Sequence, residues 1–298
     1  MTVEKAFKQF ILSRKLSGLS AKTIQDYRDF IGQFIRYVGS ETEIVSLTQE
    51  DINAYIEYQI DRSISRNSRS TYIRNLKIFV RWICENYDVD FKYTSIKVPK
   101  STKKNIRVYS NQEIELIFDS IDASEQWIAE RNKAIIAFML DSGLRQGEIC
   151  TLRSEWVNTS NGIMTVHGKG DKERTVPLGK MAMRLYEQYR KSCPFEKTEY
   201  AFVLKSGKKM SCNSVKLMVT KLAKKLPFEL SSHKLRHNFA TNYCLNMYKE
   251  HGQIDIFRLM IIMGHEDIET TQRYLHVANE IIASTETLSH MDRVYKIG

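Results

Sequence analysis

The stretch GHEDIETTQRYLH, from Gly264 to His276, holds a histidine, paired threonines and a tyrosine, with no apolar run to account for them. On one continuous α-helix the residues from His265 to Tyr274 turn about 900°, which puts the two on opposite faces. They can meet only if the chain breaks between them. Gly264 supplies the break: the apolar run IFRLMIIM precedes it, and glycine suits a left-handed C-terminal cap. Asp267 or Thr270 can cap a new helix, with Tyr274 about one turn in. Three other stretches add cations. In LDSGLRQGEICTL, Arg145 stands at the start of a helix just after Gly143, with Glu148 three residues on; SSHKLRHNFATNY compresses His233, Arg236 and His237; GIMTVHGKGDKERTVPL reads as a hairpin with Lys169 at its tip.

Two arginines, a lysine, two histidines and a tyrosine suffice for phosphodiester transesterification without a metal. The pentacoordinate transition state gathers negative charge on its non-bridging oxygens, and each guanidinium can donate paired hydrogen bonds to them. A lysine or histidine must protonate the departing 5′ oxygen. Another base must receive the phenolic proton, because a phenol with a pKa near 10 is a poor nucleophile while protonated.

Each feature alone has a plainer reading. Arg145 and Glu148 can be a surface ion pair of little energetic worth. Tyr274 is one of 15 tyrosines. His233 and His237 have the spacing of a zinc pair, but Lys234 replaces the glutamate of H-E-x-x-H, Arg236 adds a cation and no acidic or cysteine third ligand lies nearby, so no metal is expected. Gly-Lys-Gly at 168–170 lacks the spacing and helix of a Walker loop. The combination, not any single residue, favours phosphoryl chemistry.

Helical periodicity dominates the elements that must position these groups. Four apolar stripes run through Phe7, Phe10 and Ile11; Ile24, Tyr27, Phe30, Ile31 and Phe34; Ile52, Tyr55 and Ile56; and Tyr72, Ile73, Leu76, Phe79, Val80 and Ile83. Thr48 before QED suits an N-cap with acidic residues in the first turn. Residues 1–92 are thus expected as a four-helix domain. Residues 93–109 lose the pattern and carry Lys97, Lys100, Lys103, Lys104 and Arg107 without an acid, either a solvated tether or a strap along a phosphate backbone. A second domain, 110–298, starts with Ser110 and Glu113 at capping-box spacing; it is mostly helical apart from the hairpin. Its run from Lys205 to Lys225, including Lys208 and Lys209, holds seven lysines and no acid.

The balance of 45 Lys and Arg against 35 Asp and Glu leaves a formal charge of +10, which points to a polyanionic partner. The start MTVEKAFKQF has no apolar core of a secretory signal, and no window approaches the length of a membrane span. Five scattered cysteines without a C-x-x-C pair read as reduced thiols of a cytoplasmic protein.

SGLRQGEI, VHGKGDKERTVPL, HKLRHNFAT and MGHEDIETTQRYLHV, in this order, resemble the tyrosine recombinases, also called phage integrases, and the helical N-terminal part resembles their core-binding domain. The resemblance spans nearly the whole chain. It implies that Arg145 and Arg236 clamp the scissile phosphate, Lys169 is the general acid, His233 exchanges a proton with the nucleophile, His265 bonds the phosphate and Tyr274 attacks it. Glu148 would support the first arginine and a histidine. A 3′-phosphotyrosyl link with a free 5′ hydroxyl conserves bond energy, so no cofactor is expected.

Ser142 and Asn238 stand where the family often has threonine. Helical pattern from about Val3 suggests the compact two-domain form without an arm-binding domain. The resemblance further implies double-stranded DNA with paired inverted core sites, a monomer or weak dimer in solution, a homotetramer acting through a four-way junction, and in some members an accessory directionality protein. After Tyr274, Val277, Ile281, Ile282 and Leu288 suffice for an amphipathic helix that packs on its own domain or on a neighbouring subunit. Two other readings share these residues: a type IB topoisomerase-like nicking and closing enzyme, and a DNA-binding regulator without turnover.

Overall fold

Apolar residues at helical spacing form α1 (Val3–Leu16), α2 (Ala21–Val38), α3 (Gln49–Asp61) and α4 (Arg66–Asn86). The computed structural model describes residues 1–100, 106–168 and 172–285. Its packing divides the chain into two units, Met1–Lys104 and Asn105–Gly298.

In the first unit, Thr48 caps α3 reciprocally with Asp51, as its sequence suggests. Phe10, Phe34, Tyr55 and Phe79 are wholly buried. Phe10 meets Phe79 edge-on at 5.4 Å and Phe34 meets Tyr55 at 5.2 Å, the geometry in which ring quadrupoles attract. This core extends past α4 to Phe91 and Ile96, and Lys77 Nζ donates to the Ile96 carbonyl at 2.9 Å. Lys97 and Lys100 are exposed, while Lys103 and Lys104 lie outside the described residues.

The second unit opens with Tyr109 fixed in its core. The Tyr109 backbone N–H donates to Asn238 Oδ1 at 2.7 Å and its hydroxyl to the Glu229 carbonyl at 2.9 Å. Asn238 therefore has a structural task. Next come α5 (Asn111–Asp119), begun by the Ser110–Glu113 capping box, and α6 (Gln126–Ser142), whose Ala134, Ile135, Ile136, Phe138 and Met139 are buried around its circumference. Short helix α7 (Gln146–Thr151) leads to a three-stranded antiparallel sheet of β1 (Val157–Asn158), β2 (Ile163–His167) and β3 (Glu173–Pro177) in that order. Pairing of Val166 with Arg174 and Met164 with Val176 sets the hairpin register. Helices α8 (Lys180–Ser192), α9 (Cys212–Ala223), α10 (Ser232–His251), α11 (Ile256–Met263) and α12 (Ile268–Thr285) complete the unit. Helix α6 packs against α8 and α10, and α10 against α11 and α12.

Two expectations change in detail. Tyr274 lies nearly two turns into α12, because the helix starts at Ile268. Val277, Ile281 and Ile282 continue that same helix instead of starting another, and Leu288 lies outside the described residues. No helix among the described residues is long and apolar enough to cross a membrane.

Candidate active site

Helix ends build the site. Helix α6 stops at Gly143, with φ 62° and ψ 26°, and α11 stops at Gly264, with φ 62° and ψ 46°. Both need the left-handed conformation, and a Cβ on Gly143 would collide with the Phe239 ring. The two ends expose carbonyls at the negative ends of the helix dipoles, where guanidiniums are stabilised. Arg236 donates to the Gly143 carbonyl and, at 2.6 Å, to that of Met263; Arg145 Nη2 donates to the Gly264 carbonyl at 2.7 Å.

Glu148 binds the arginines into one group. It accepts from the Arg145 backbone N–H at 2.7 Å, from Arg145 Nη1 at 3.0 Å and from both terminal nitrogens of Arg174 at 2.8 and 2.9 Å; Arg236 Nη1 lies 4.0 Å away. At 5% exposed, this is no surface ion pair. Burial alone would raise the Glu148 pKa, but the hydrogen bonds and charge of Arg174, then of Arg145, outweigh it and hold the carboxyl below its usual range. Three guanidiniums face one carboxylate, so the cluster keeps a net positive charge fitted to an anion. Arg145, Glu148, Arg174 and His265 line a cleft of about 1000 Å³.

The break after Gly264 brings His265 and Tyr274 together. The His265 backbone N–H donates to the Met260 carbonyl at 3.1 Å, turning the chain, and the His265 and Tyr274 rings stack at 6.3 Å. His265 Nε2 lies 3.1 Å from Arg236 Nη2 and its Nδ1 2.9 Å from Thr271 Oγ1. Burial first, then the charges of Arg236 and Arg145, depress the His265 pKa to about 4. Tyr274 is 2% exposed, and its hydroxyl lies 2.7 Å from His237 Nδ1. Burial raises its pKa against the opposing charges of Arg273, Arg236 and Arg145. The His233 ring lies against that of His237, centroids 4.0 Å apart, and burial lowers the His233 pKa, aided by Arg273 and Arg236.

Arg145, Glu148, Arg236, His265 and Tyr274 thus meet around the two glycine-ended helices, with His233 one ring behind. Lys169 lies outside the described residues. Lys208 and Lys209 are exposed, Lys209 over the Tyr200 ring at 5.3 Å. Folding supplies acids to that lysine run: Lys205 pairs with Glu125, and Lys225 with Asp122. Sequence reasoning missed three contributors. Arg174 had a readable signal, since it shares the inward face of β3 with buried Val176. Arg273 had none, because its contact with His237 depends on how α10 and α12 meet, whereas Thr271 meets His265 locally, across the turn that opens α12.

Residues 107–280 match the Phage integrase family, and residues 7–87 match the Phage integrase, N-terminal SAM-like domain. The chain belongs to the phage integrase family. Among curated relatives, tyrosine recombinase XerD of Halalkalibacterium halodurans is 30% identical over 288 residues, 93% of this chain and 94% of that protein. Tyrosine recombinase XerC of Pediococcus pentosaceus is 27% identical over 287 residues, 92% of this chain and 93% of that one. The fold is shared with the Tn1549 transposon integrase solved with transposon right end DNA, at a TM-score of 0.72, 17% identity and coverage of 96% of this chain and 99% of that one. It is shared too with a lambda integrase dimer bound to a core site, at 0.73, 17% identity and coverage of 92% and 77%.

Proposed function

We propose that this chain is a site-specific DNA recombinase that cuts and rejoins duplex DNA through a 3′-phosphotyrosyl link on Tyr274. The observation that carries this reading is the meeting of Arg145, Arg236 and His265 with Tyr274 at the ends of α6 and α11. The Tyr274 oxygen attacks the scissile phosphorus, the bond from phosphorus to the 5′ oxygen breaks, and Lys169 donates a proton to that oxygen. His233 receives the phenolic proton. Arg145 and Arg236 bind the non-bridging oxygens, with His265 as a further ligand of the phosphate. Because Tyr274 is 2% exposed, cleavage requires a rearrangement that uncovers its hydroxyl.

In this reading residues 1–92 form the DNA-clamping domain, 93–109 a basic linker and 110–298 the catalytic domain. Lys97, Lys100, Lys103, Lys104, Lys208 and Lys209 contact the phosphate backbone. A tetramer of this chain on two synapsed inverted sites exchanges strands in pairs through a four-way junction, in the cytoplasm, with an accessory protein setting direction where the element supplies one. The relatives named XerD and XerC and the DNA-bound integrases support the substrate class.

The test is a nicked suicide duplex carrying the site mapped by footprinting. Wild-type protein should yield a denaturation-resistant protein–DNA adduct that Tyr274→Phe loses while still binding. An unchanged adduct in that variant would overturn the assignment. A plasmid bearing two sites then separates strand exchange from nicking and closing.

A further inference from the structure

His237 is the one residue hydrogen-bonded to the Tyr274 hydroxyl among the described residues, and the proposed proton exchange does not use it. Its other ring nitrogen, Nε2, lies 2.9 Å from Nη2 of Arg273. A guanidinium only donates, so Nε2 must present its lone pair. A neutral imidazole then carries its hydrogen on Nδ1, which donates to the Tyr274 oxygen 2.7 Å away. The direction of the bond follows from the arginine.

We infer that Arg273 and His237 form a positioning pair that fixes a hydrogen-bond donor on the nucleophilic oxygen of Tyr274 and thereby favours its phenolate. The inference rests on Tyr274 being the nucleophile. A bond donated to an oxygen strengthens as that oxygen becomes anionic, so it acts more on the phenolate than on the phenol. In this tautomer Nδ1 cannot also accept the phenolic proton; in the proposed reaction His233, whose ring lies 4.0 Å from that of His237, takes it once the hydroxyl is uncovered. The groups facing His237 all oppose its protonation: His233 and Arg236 on its own helix, Arg273 on α12 and His265 at the turn before it. Burial first, and then these charges, depress its pKa to about 3, which leaves the ring neutral near pH 7. Arg273 also lies over the Tyr274 ring at 5.3 Å and is the first among the cations that lower the phenol's pKa.

The test follows adduct formation on the suicide duplex against pH for wild type, Tyr274→Phe, His237→Leu, His237→Asn and Arg273→Met, with DNA binding measured for each. Arg273 is exposed, so its variant keeps the fold. His237→Leu and Arg273→Met should slow the adduct at neutral pH by roughly 10- to 100-fold, the worth of one hydrogen bond to a charged group, and move the acidic limb of the profile to higher pH. His237→Asn keeps a donor at the Nδ1 position without an imidazole that can take a proton, and should stay near the wild-type rate and profile. Coincident or faster cleavage by His237→Leu would overturn the inference, as would an asparagine variant as slow as leucine with its limb unmoved. Absence of the adduct in wild type, or its presence in Tyr274→Phe, would instead remove the nucleophile itself, and the positioning pair with it.

Discussion

The two units bury different things. Among the described residues, the first buries aromatic and aliphatic side chains and only two polar ones, Gln59 and Ser70; the second buries Glu148, Arg236, His237, Thr271 and several more. Stability explains the first pattern, since apolar burial is favourable and needs no partners. It does not explain the second, because burying charge costs more than it returns unless every group is paired. Two buried clusters in the second unit separate structure from chemistry. Glu130 is held by Gln126, Gln188 and Ser192, and Arg131 by the Val203 carbonyl and Asn132. That cluster is closed on itself. Arg145, Arg174 and Glu148 instead line an open cleft and carry excess positive charge.

The largest effect that can break this contrast is loss of the phosphate clamp. Arg236→Lys keeps the charge but not the forked geometry held by the Gly143 and Met263 carbonyls, and should lower suicide-substrate cleavage by ~10²- to 10³-fold. Glu148→Ala takes the shared acceptor from Arg145 and Arg174 and the nearby counter-charge from Arg236, and should destabilise the second unit by about 3–5 kcal/mol in urea unfolding. Phe79→Ala should cost the first unit a similar ~3–5 kcal/mol through its cavity, with weaker DNA binding and little change in cleavage at saturating protein. A large fall in saturated cleavage there would blur the division of labour.

Acid should separate the units more gently. All seven histidines lie beyond residue 104. Their pKa values in the fold are depressed to about 3 for His237 and about 4 for His265, from the ordinary imidazole value of 6.5. Between those limits the unfolded chain binds more protons, so their contribution is complete above pH 6.5 and is lost as pH falls toward about 4 for His265 and about 3 for His237. Urea midpoints of the second unit should fall over that window while those of the first hold; parallel falls would contradict the assignment. The smallest effect is at Lys208 and Lys209, where alanine should lower the salt slope of DNA binding by about one each and leave stability within ~0.5 kcal/mol.

The four N-terminal helices were legible because apolar residues repeat at their period and Thr48 marks a start. Helix α8 carries the same signal, with Ala182, Leu185, Tyr186 and Tyr189 at helical spacing, and sequence reasoning passed over it. In the site, glycine and spacing exposed the break between His265 and Tyr274. What stayed hidden was tertiary: Arg174 reaches Glu148 across a fold-back of the chain, and Arg273 meets His237 only where α12 packs on α10. The same packing turned an apparent surface pair, Arg145 and Glu148, into the centre of the clamp.

The nucleophile itself can be read directly. After the suicide reaction, protease and nuclease digestion followed by mass spectrometry locates the nucleotide on the protein. Cleavage after Arg273 releases a peptide that begins YLHVANEIIASTETLSHMDR, and that peptide should carry a 3′-linked nucleotide on Tyr274. A nucleotide on any other residue would contradict the account.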